Sequence, residues 1–207
     1  MLKLFRKFAG PVVLMAALAG CGGMDTTSFL NASAVPTNTD IPFRSGIQYS
    51  APQGFCATDA QTYQEEAKGF GVFVTCFGAY DRSRLLTVAH YPIDPDNPPA
   101  TETLIQAAGF GAKAQRIVEK DGVIYARLRG ALNDQDLQPE FSRMIAQKGG
   151  YMIMANLYAR ARASNADFMA RRVLAQVLKG ITTDSSKMPQ FVRYLPTDPM
   201  VRPKLRP

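Results

Sequence analysis

The stretch Ile117-Val118-Glu119-Lys120-Asp121-Gly122-Val123-Ile124-Tyr125-Ala126-Arg127-Leu128-Arg129 decides how the rest of the chain is read. Two runs rich in β-branched and apolar residues flank Asp121-Gly122. Asp-Gly supplies the positive φ angles of a type I′ turn, so the segment predicts a β-hairpin. On its second arm Ile124, Ala126 and Leu128 share one face, and Arg127 and Arg129 lie on the other. Such alternation marks an antiparallel sheet with one core-facing side and one wet side.

Working outward, Gly46 to Cys56 reads as an extended segment broken at Pro52 and Gly54. Residues 71–77 and 85–91 are short β-branched and aromatic runs, read as strands. Thr101 can cap a short helix reaching about Ala108. Leu137, Phe141, Met144 and Ile145 follow at i, i+4, i+7 and i+8, which predicts a short amphipathic helix with Asp134 and Asp136 at its start. Residues 151–159 are apolar on both faces and read as a central strand. Met169, Val173, Val177 and Ile181, widened by Ala170, Leu174 and Leu178, form a helical stripe. Ser164 and Asp167 read as its capping box, and Gly180 as its stop. The expected fold is α+β, an antiparallel sheet covered by helices.

The ends of the chain differ from this middle. Lys3, Arg6 and Lys7 precede the uncharged run Pro11 to Gly20, the pattern of a secretory signal. That run is too short for a membrane-spanning helix, which needs about 17–25 residues. Leu18-Ala19-Gly20-Cys21 then resembles the lipobox of bacterial lipoproteins. The resemblance implies that residues 1–20 are removed and that Cys21 carries lipid. Gly22 stands where an Asp would imply retention in the inner membrane, so the outer membrane is favoured, with the domain facing the periplasm and the inner membrane as the alternative. Residues 21–42 read as a lipidated flexible tether, 43–192 as a single domain and 193–207 as a Pro/Arg-rich tail.

The full chain of 207 residues has a formal charge of +7, and loss of Lys3, Arg6 and Lys7 leaves +4. No dense Lys/Arg block of the kind nucleic-acid binders carry is present. With Cys21 lipidated, Cys56 and Cys76 remain as an even pair, read as a disulfide, with two free buried thiols as the alternative. His90 is the single histidine, too few for a His/Cys metal site. Leu86-Thr87-Val88-Ala89-His90 resembles the histidine segment of chymotrypsin-like proteases, but no Gly-rich serine turn accompanies it. His90 is therefore read as a strand-end residue bonded to backbone. Gly69-Phe70-Gly71 and Gly109-Phe110-Gly111 read as turns, since neither has phosphate-loop spacing. Arg160, Arg162, Arg171 and Arg172 are the densest basic group and the candidate anionic patch.

The order of elements from Gly46 to Thr183 resembles the PsbP-like sandwich. Gly54-Phe55-Cys56 with Phe73-Val74-Thr75-Cys76 looks like a group of uncharacterised proteobacterial envelope proteins with a paired cysteine. Neither resemblance carries a catalytic residue, and PsbP-like domains serve mostly as accessory and assembly factors. The expectation is a lipid-anchored, non-enzymatic accessory or assembly factor without a cofactor, joined to the membrane through Cys21 and to an envelope protein partner. The alternative is a carrier or sensor of a small apolar or anionic ligand.

Overall fold

A computed structural model describes residues 39–58, 62–76, 84–94, 99–106, 112–130, 137–160 and 167–188. Its strands are β1 (Asp40–Pro42), β2 (Ile47–Ser50), β3 (Phe55–Ala57), β4 (Tyr63–Gln64), β5 (Gly69–Thr75), β6 (Arg84–Pro92), β7 (Lys113–Lys120), β8 (Val123–Arg129), β9 (Glu140–Lys148), β10 (Tyr151–Ala159) and β11 (Ile181–Thr183). The helices are α1 (Thr101–Gln106) and α2 (Asp167–Gly180). An eight-stranded sheet runs β3-β5-β6-β10-β9-β8-β7, with β4 pairing β5, and a three-stranded sheet runs β1-β2-β11. Every pairing is antiparallel.

The 117–129 segment forms the expected hairpin, β7–β8. Asp121 and Gly122 take φ angles of 52° and 72° at its tip, the left-handed pair that a type I′ turn demands. Ile124, Ala126 and Leu128 are buried on one face, as the alternation requires. Residues 151–159 form the middle strand of the large sheet.

The large difference from expectation lies at residues 137–148. No helix forms there: Glu140–Lys148 is strand β9, paired with both β8 and β10. The turn at Gly149-Gly150 joins β9 to β10 as a second hairpin. Phe141 to Ala146 are all buried, because this strand has side chains packed against it on both faces. A strand buried on both sides loses its period of two, and four apolar residues can then imitate a helical stripe. The tether expected through residue 42 also ends sooner, since β1 begins at Asp40 and pairs with β2.

Two cores result. On one face of the large sheet, Phe73, Leu86, Val88, Ile153, Ala155 and Leu157 meet the small sheet's Ile41, Ile47 and Tyr49, together with Ala170, Val173, Leu174 and Val177 of α2. The other face packs Val72, Leu85, Leu128, Phe141, Ile145 and Met154 against Leu104 and Ile105 of α1. Helices thus cover the sheet only in part, and the small sheet supplies the remainder of one layer. Of the expected stripe, Ala170, Val173, Leu174 and Val177 of α2 and Ile181 of β11 are buried, Leu178 is half-buried, and Met169 in the first turn is 41% exposed. Lys148 donates through Nζ to the Leu178 carbonyl at 2.9 Å, a cation on the carbonyl-rich end of α2.

Among the described residues the second face contains one wholly buried cation. Arg143, in β9, donates through Nε to Asn156 Oδ1 at 2.7 Å and through Nη1 to the carbonyl of Ile105 at 2.7 Å and of Leu104 at 3.3 Å. Asn156 passes the chain on, donating to Thr87 Oγ1 at 3.2 Å. One side chain therefore ties α1 to three adjacent strands. Breaking a buried, hydrogen-bonded charge leaves its partners desolvated and unpaired, at a cost of about 3–5 kcal/mol. Arg143→Ala should lose that much in denaturant unfolding and expose the amides of α1 to hydrogen exchange; a loss under about 1 kcal/mol, ordinary for a surface site, would contradict this role.

Candidate functional site

The chain's single histidine sits where the two sheets meet. Strand β6 turns His90 toward the small sheet, whose β1–β2 connection brings Ser45 and whose β2 brings Tyr49. His90 Nε2 lies 2.8 Å from Ser45 Oγ, and Nδ1 lies 2.5 Å from the Tyr49 hydroxyl. Tyr151, from β10, donates to the Ser45 carbonyl at 3.1 Å. The rings of Phe43, Tyr49 and Tyr151 stand edge-on to the imidazole, with centroids 4.8, 5.5 and 5.4 Å away. Ser45 and His90 are buried.

Burial drives the imidazole pKa down to about 3, so the ring is neutral at ordinary pH. Burial also raises the Tyr49 phenol well above its usual range, which keeps its proton in place. With the phenol protonated and the imidazole neutral, the Tyr49 hydroxyl pairs with Nδ1 and the Ser45 hydroxyl with Nε2, and the tautomer sets which partner donates in each bond. A serine beside a histidine is the geometry of an activated nucleophile. Here the third member is a phenol and not a carboxylate, and Ser45 has no surface open to solvent. The cluster is a polar tie between sheets. The expected backbone bond of His90 is replaced by these side-chain partners, and Ser45 was not foreseen; Gly46 after it marks a turn but says nothing of what the turn approaches.

Gly69-Phe70-Gly71 is also not a turn. It opens strand β5, and its glycines make room for this cluster. A Cβ on Gly69 would run into the rings of Phe43 and His90, and one on Gly71 would meet Ile41 Cδ1 at 2.8 Å. Gly109-Phe110-Gly111 lies outside the described residues.

A second site opens where α2 stops short of the β7–β8 end of the sheet. Arg116 of β7, Arg127 of β8 and Arg171 of α2 line an open groove with Val118, Tyr125, Ser142 and Leu174. Its enclosed space is about 20 Å³, enough for a water molecule or one small polar group. Arg116 and Arg127 face each other directly across the ladder. Like charges in that relation oppose pairing. Arg127 also binds Glu140, and this guanidinium holds the Glu140 carboxyl below its usual range. The groove can receive an anionic group at the sheet's surface.

The described members of the expected arginine patch are Arg160, Arg171 and Arg172. Arg171 lines the groove. Arg160, just past β10, bridges Leu137 and accepts from Gln138 Nε2 at 2.9 Å through its carbonyl. Arg172 is exposed and does not line the groove. Arg162 lies outside the described residues, as does Cys21. Arg116 and Arg127, in contrast, come from two strands and are joined by register. The wet-face position of Arg127 was visible in the hairpin, and pairing around Asp121-Gly122 would have led to Arg116.

Cys56, in β3, and Cys76, just beyond β5, form a disulfide with an S–S distance of 2.01 Å and Cα atoms 5.3 Å apart. No cluster of His, Cys, Asp or Glu placed to hold a metal occurs among the described residues.

No family model matches this chain. No curated protein matches it. Among solved structures it is similar to cyanobacterial PsbP (CyanoP) from Synechocystis sp. PCC 6803, at 15% identity and a TM-score of 0.42, covering 74% of this chain and 96% of that one. It is also similar to a point mutant of the protein Mog1, at 9% identity and a TM-score of 0.44, covering 71% of this chain and 96% of that one. At such identities and scores neither likeness carries an argument about function, and the architecture rests on strand order and packing.

The histidine tie has a pH signature. Below about pH 6.5 the unfolded chain takes up a proton on His90 that the folded chain refuses until about pH 3. Stability from this group is complete above that window and falls with acid by roughly 1.4 kcal/mol per pH unit. Wild type should be about 2–3 kcal/mol less stable at pH 4.5 than at pH 6.5, an excess slope that His90→Gln removes. Equal slopes in the two proteins, measured by urea unfolding, would refute the buried neutral imidazole.

Proposed function

We propose that this protein is a lipid-anchored component of the bacterial cell envelope, an accessory or assembly factor that binds another envelope component and performs no catalysis. The lipobox-like Leu18-Ala19-Gly20-Cys21 supports processing before Cys21 and attachment there. Two or more acyl chains make such attachment stable. The outer membrane, with the domain facing the periplasm, is the favoured location and the inner membrane the alternative. The Cys56–Cys76 disulfide fits an oxidising compartment. No helix among the described residues is long and apolar enough to cross a membrane. The antiparallel sheet with a packed layer on each face favours a PsbP-like sandwich.

The observation that carries the accessory reading is the contrast between interior and surface. Both faces of the large sheet are filled with buried side chains, and the Ser45–His90 pair is shut inside. The arginine groove is open at the surface. A second reading, a carrier of a small anionic ligand, draws on the same groove; its space of about 20 Å³ does not suit an enclosed apolar ligand, for which pockets of about 300–1,000 Å³ are usual.

The anchor is tested by intact-mass analysis of protein extracted from membranes. The expected mature chain starts at a diacylglyceryl-modified Cys21, and Cys21→Ser should leave the precursor uncut and absent from the outer-membrane fraction as a mature form. An unmodified Cys21, or a start elsewhere, would overturn it. Crosslinked partners recovered with the lipidated protein and lost with Cys21→Ser would support the accessory role. A co-purifying small anion with no protein partner would shift the function to a carrier.

A further inference from the structure

We propose that strand β7 is a docking edge, and that an acidic, extended segment of a partner protein adds to it as a ninth strand and sets a carboxylate in the Arg116–Arg127–Arg171 groove. This deepens the accessory reading by naming the partner's chemistry.

Among the described residues β8 is the only strand neighbour of β7, which ends the eight-stranded sheet. The edge is eight residues long, and every side chain on it except half-buried Val118 is exposed. A strand with backbone donors and acceptors along one open side is a template for strand addition, in which main-chain hydrogen bonds bring affinity and alternate side chains bring selectivity.

Charge identifies the occupant. Strand β7 carries Lys113, Arg116 and Lys120 against the single acid Glu119. Beside it stand Arg127 and Arg129 of β8 and Arg171 of α2; of the carboxylates here, Glu140 is bound to Arg127 and Asp121 acts on Tyr125. Arg116 and Arg127 are held opposite each other in the ladder, which concentrates positive charge at this end of the sheet. A second copy of this chain is a poorer occupant: in fully overlapped antiparallel pairing, Lys113 of each β7 would face Lys120 of the other. Such charges are a common guard against edge-to-edge association of identical sheets.

The two faces of the edge ask for different side chains. Arg116 and Val118 lie on the groove side with Tyr125 and Arg127. Ile117 lies on the opposite side, across from Ala126, and is 52% exposed. The fitting segment therefore alternates, with acids over the groove and apolar or β-branched residues over Ile117.

The test uses the protein as purified from membranes in detergent, and a fluorescent peptide of about eight residues alternating Glu and Val, matched to the edge length that strand addition would use. Binding by anisotropy is expected, weakened by salt, with slowed hydrogen exchange confined to residues 113–120. The double variant Arg116→Glu, Arg171→Glu should weaken it at least about tenfold, as loss of charge complementarity requires; Arg116→Gln, Arg171→Gln serves if α2 is perturbed. N-methylation of one alternate set of peptide amides should abolish binding, and of the other set should not. Absence of binding, binding indifferent to charge reversal or to both N-methyl sets, or protection elsewhere would overturn the proposal. So would displacement of the peptide by vesicles of anionic phospholipid, which would assign the groove to a membrane. Peptide binding does not depend on Cys21, so failure here and failure of the anchor are separately visible.

Discussion

The fold depends on a neutral imidazole held in a dry place. His90 reaches from the large sheet to Ser45 and Tyr49 of the small one, and each ring nitrogen has a hydrogen-bonding partner. A buried polar group stabilises only when it is satisfied, because its unpaired form bears the whole desolvation penalty. That requirement specifies how the small sheet lies on the large one more sharply than apolar contact between Ile41, Tyr49 and Phe73 could. It also accounts for Gly69, where any side chain would displace the histidine or Phe43. The strand, the turn and the glycine form one mutually dependent unit.

Arg143 plays the corresponding part on the opposite face. Its guanidinium binds α1 through two carbonyls and the sheet through Asn156. The layer on each face is therefore tied to the large sheet by polar side chains set within apolar packing, His90 and Tyr151 on one face and Arg143 on the other. With the interior committed in this way, the chemistry open to a partner lies at the β7–β8 end, where α2 leaves the sheet bare and three arginines converge.

Much of this frame was legible. The β7–β8 hairpin followed from Asp121-Gly122 and the alternation of Ile124, Ala126 and Leu128, since turn chemistry and a one-sided strand are local properties. The α2 stripe was legible for the same reason, apart from exposed Met169. Strand β9 was not, because Phe141 and Met144 point to opposite faces and both faces are covered; nothing local says how many layers will pack on a strand. Gly69 and Gly71 looked like turn residues because glycine marks both a turn and a close approach. The arginine group of 160–172 is close along the chain, and of its described members Arg171 lines the groove.

The sequence by itself determined the β7–β8 hairpin, the long final helix and the even pair of Cys56 and Cys76, and it carries the lipobox-like motif at Cys21. These rest on local rules of backbone conformation, side-chain period and motif. Tertiary structure alone decided that His90 would meet Ser45 and Tyr49, that Arg143 would be buried, and that Arg116, Arg127 and Arg171 would share a groove. Each of those groupings joins residues from different elements, and their distances are set by strand register and layer packing, which no single stretch of chain contains.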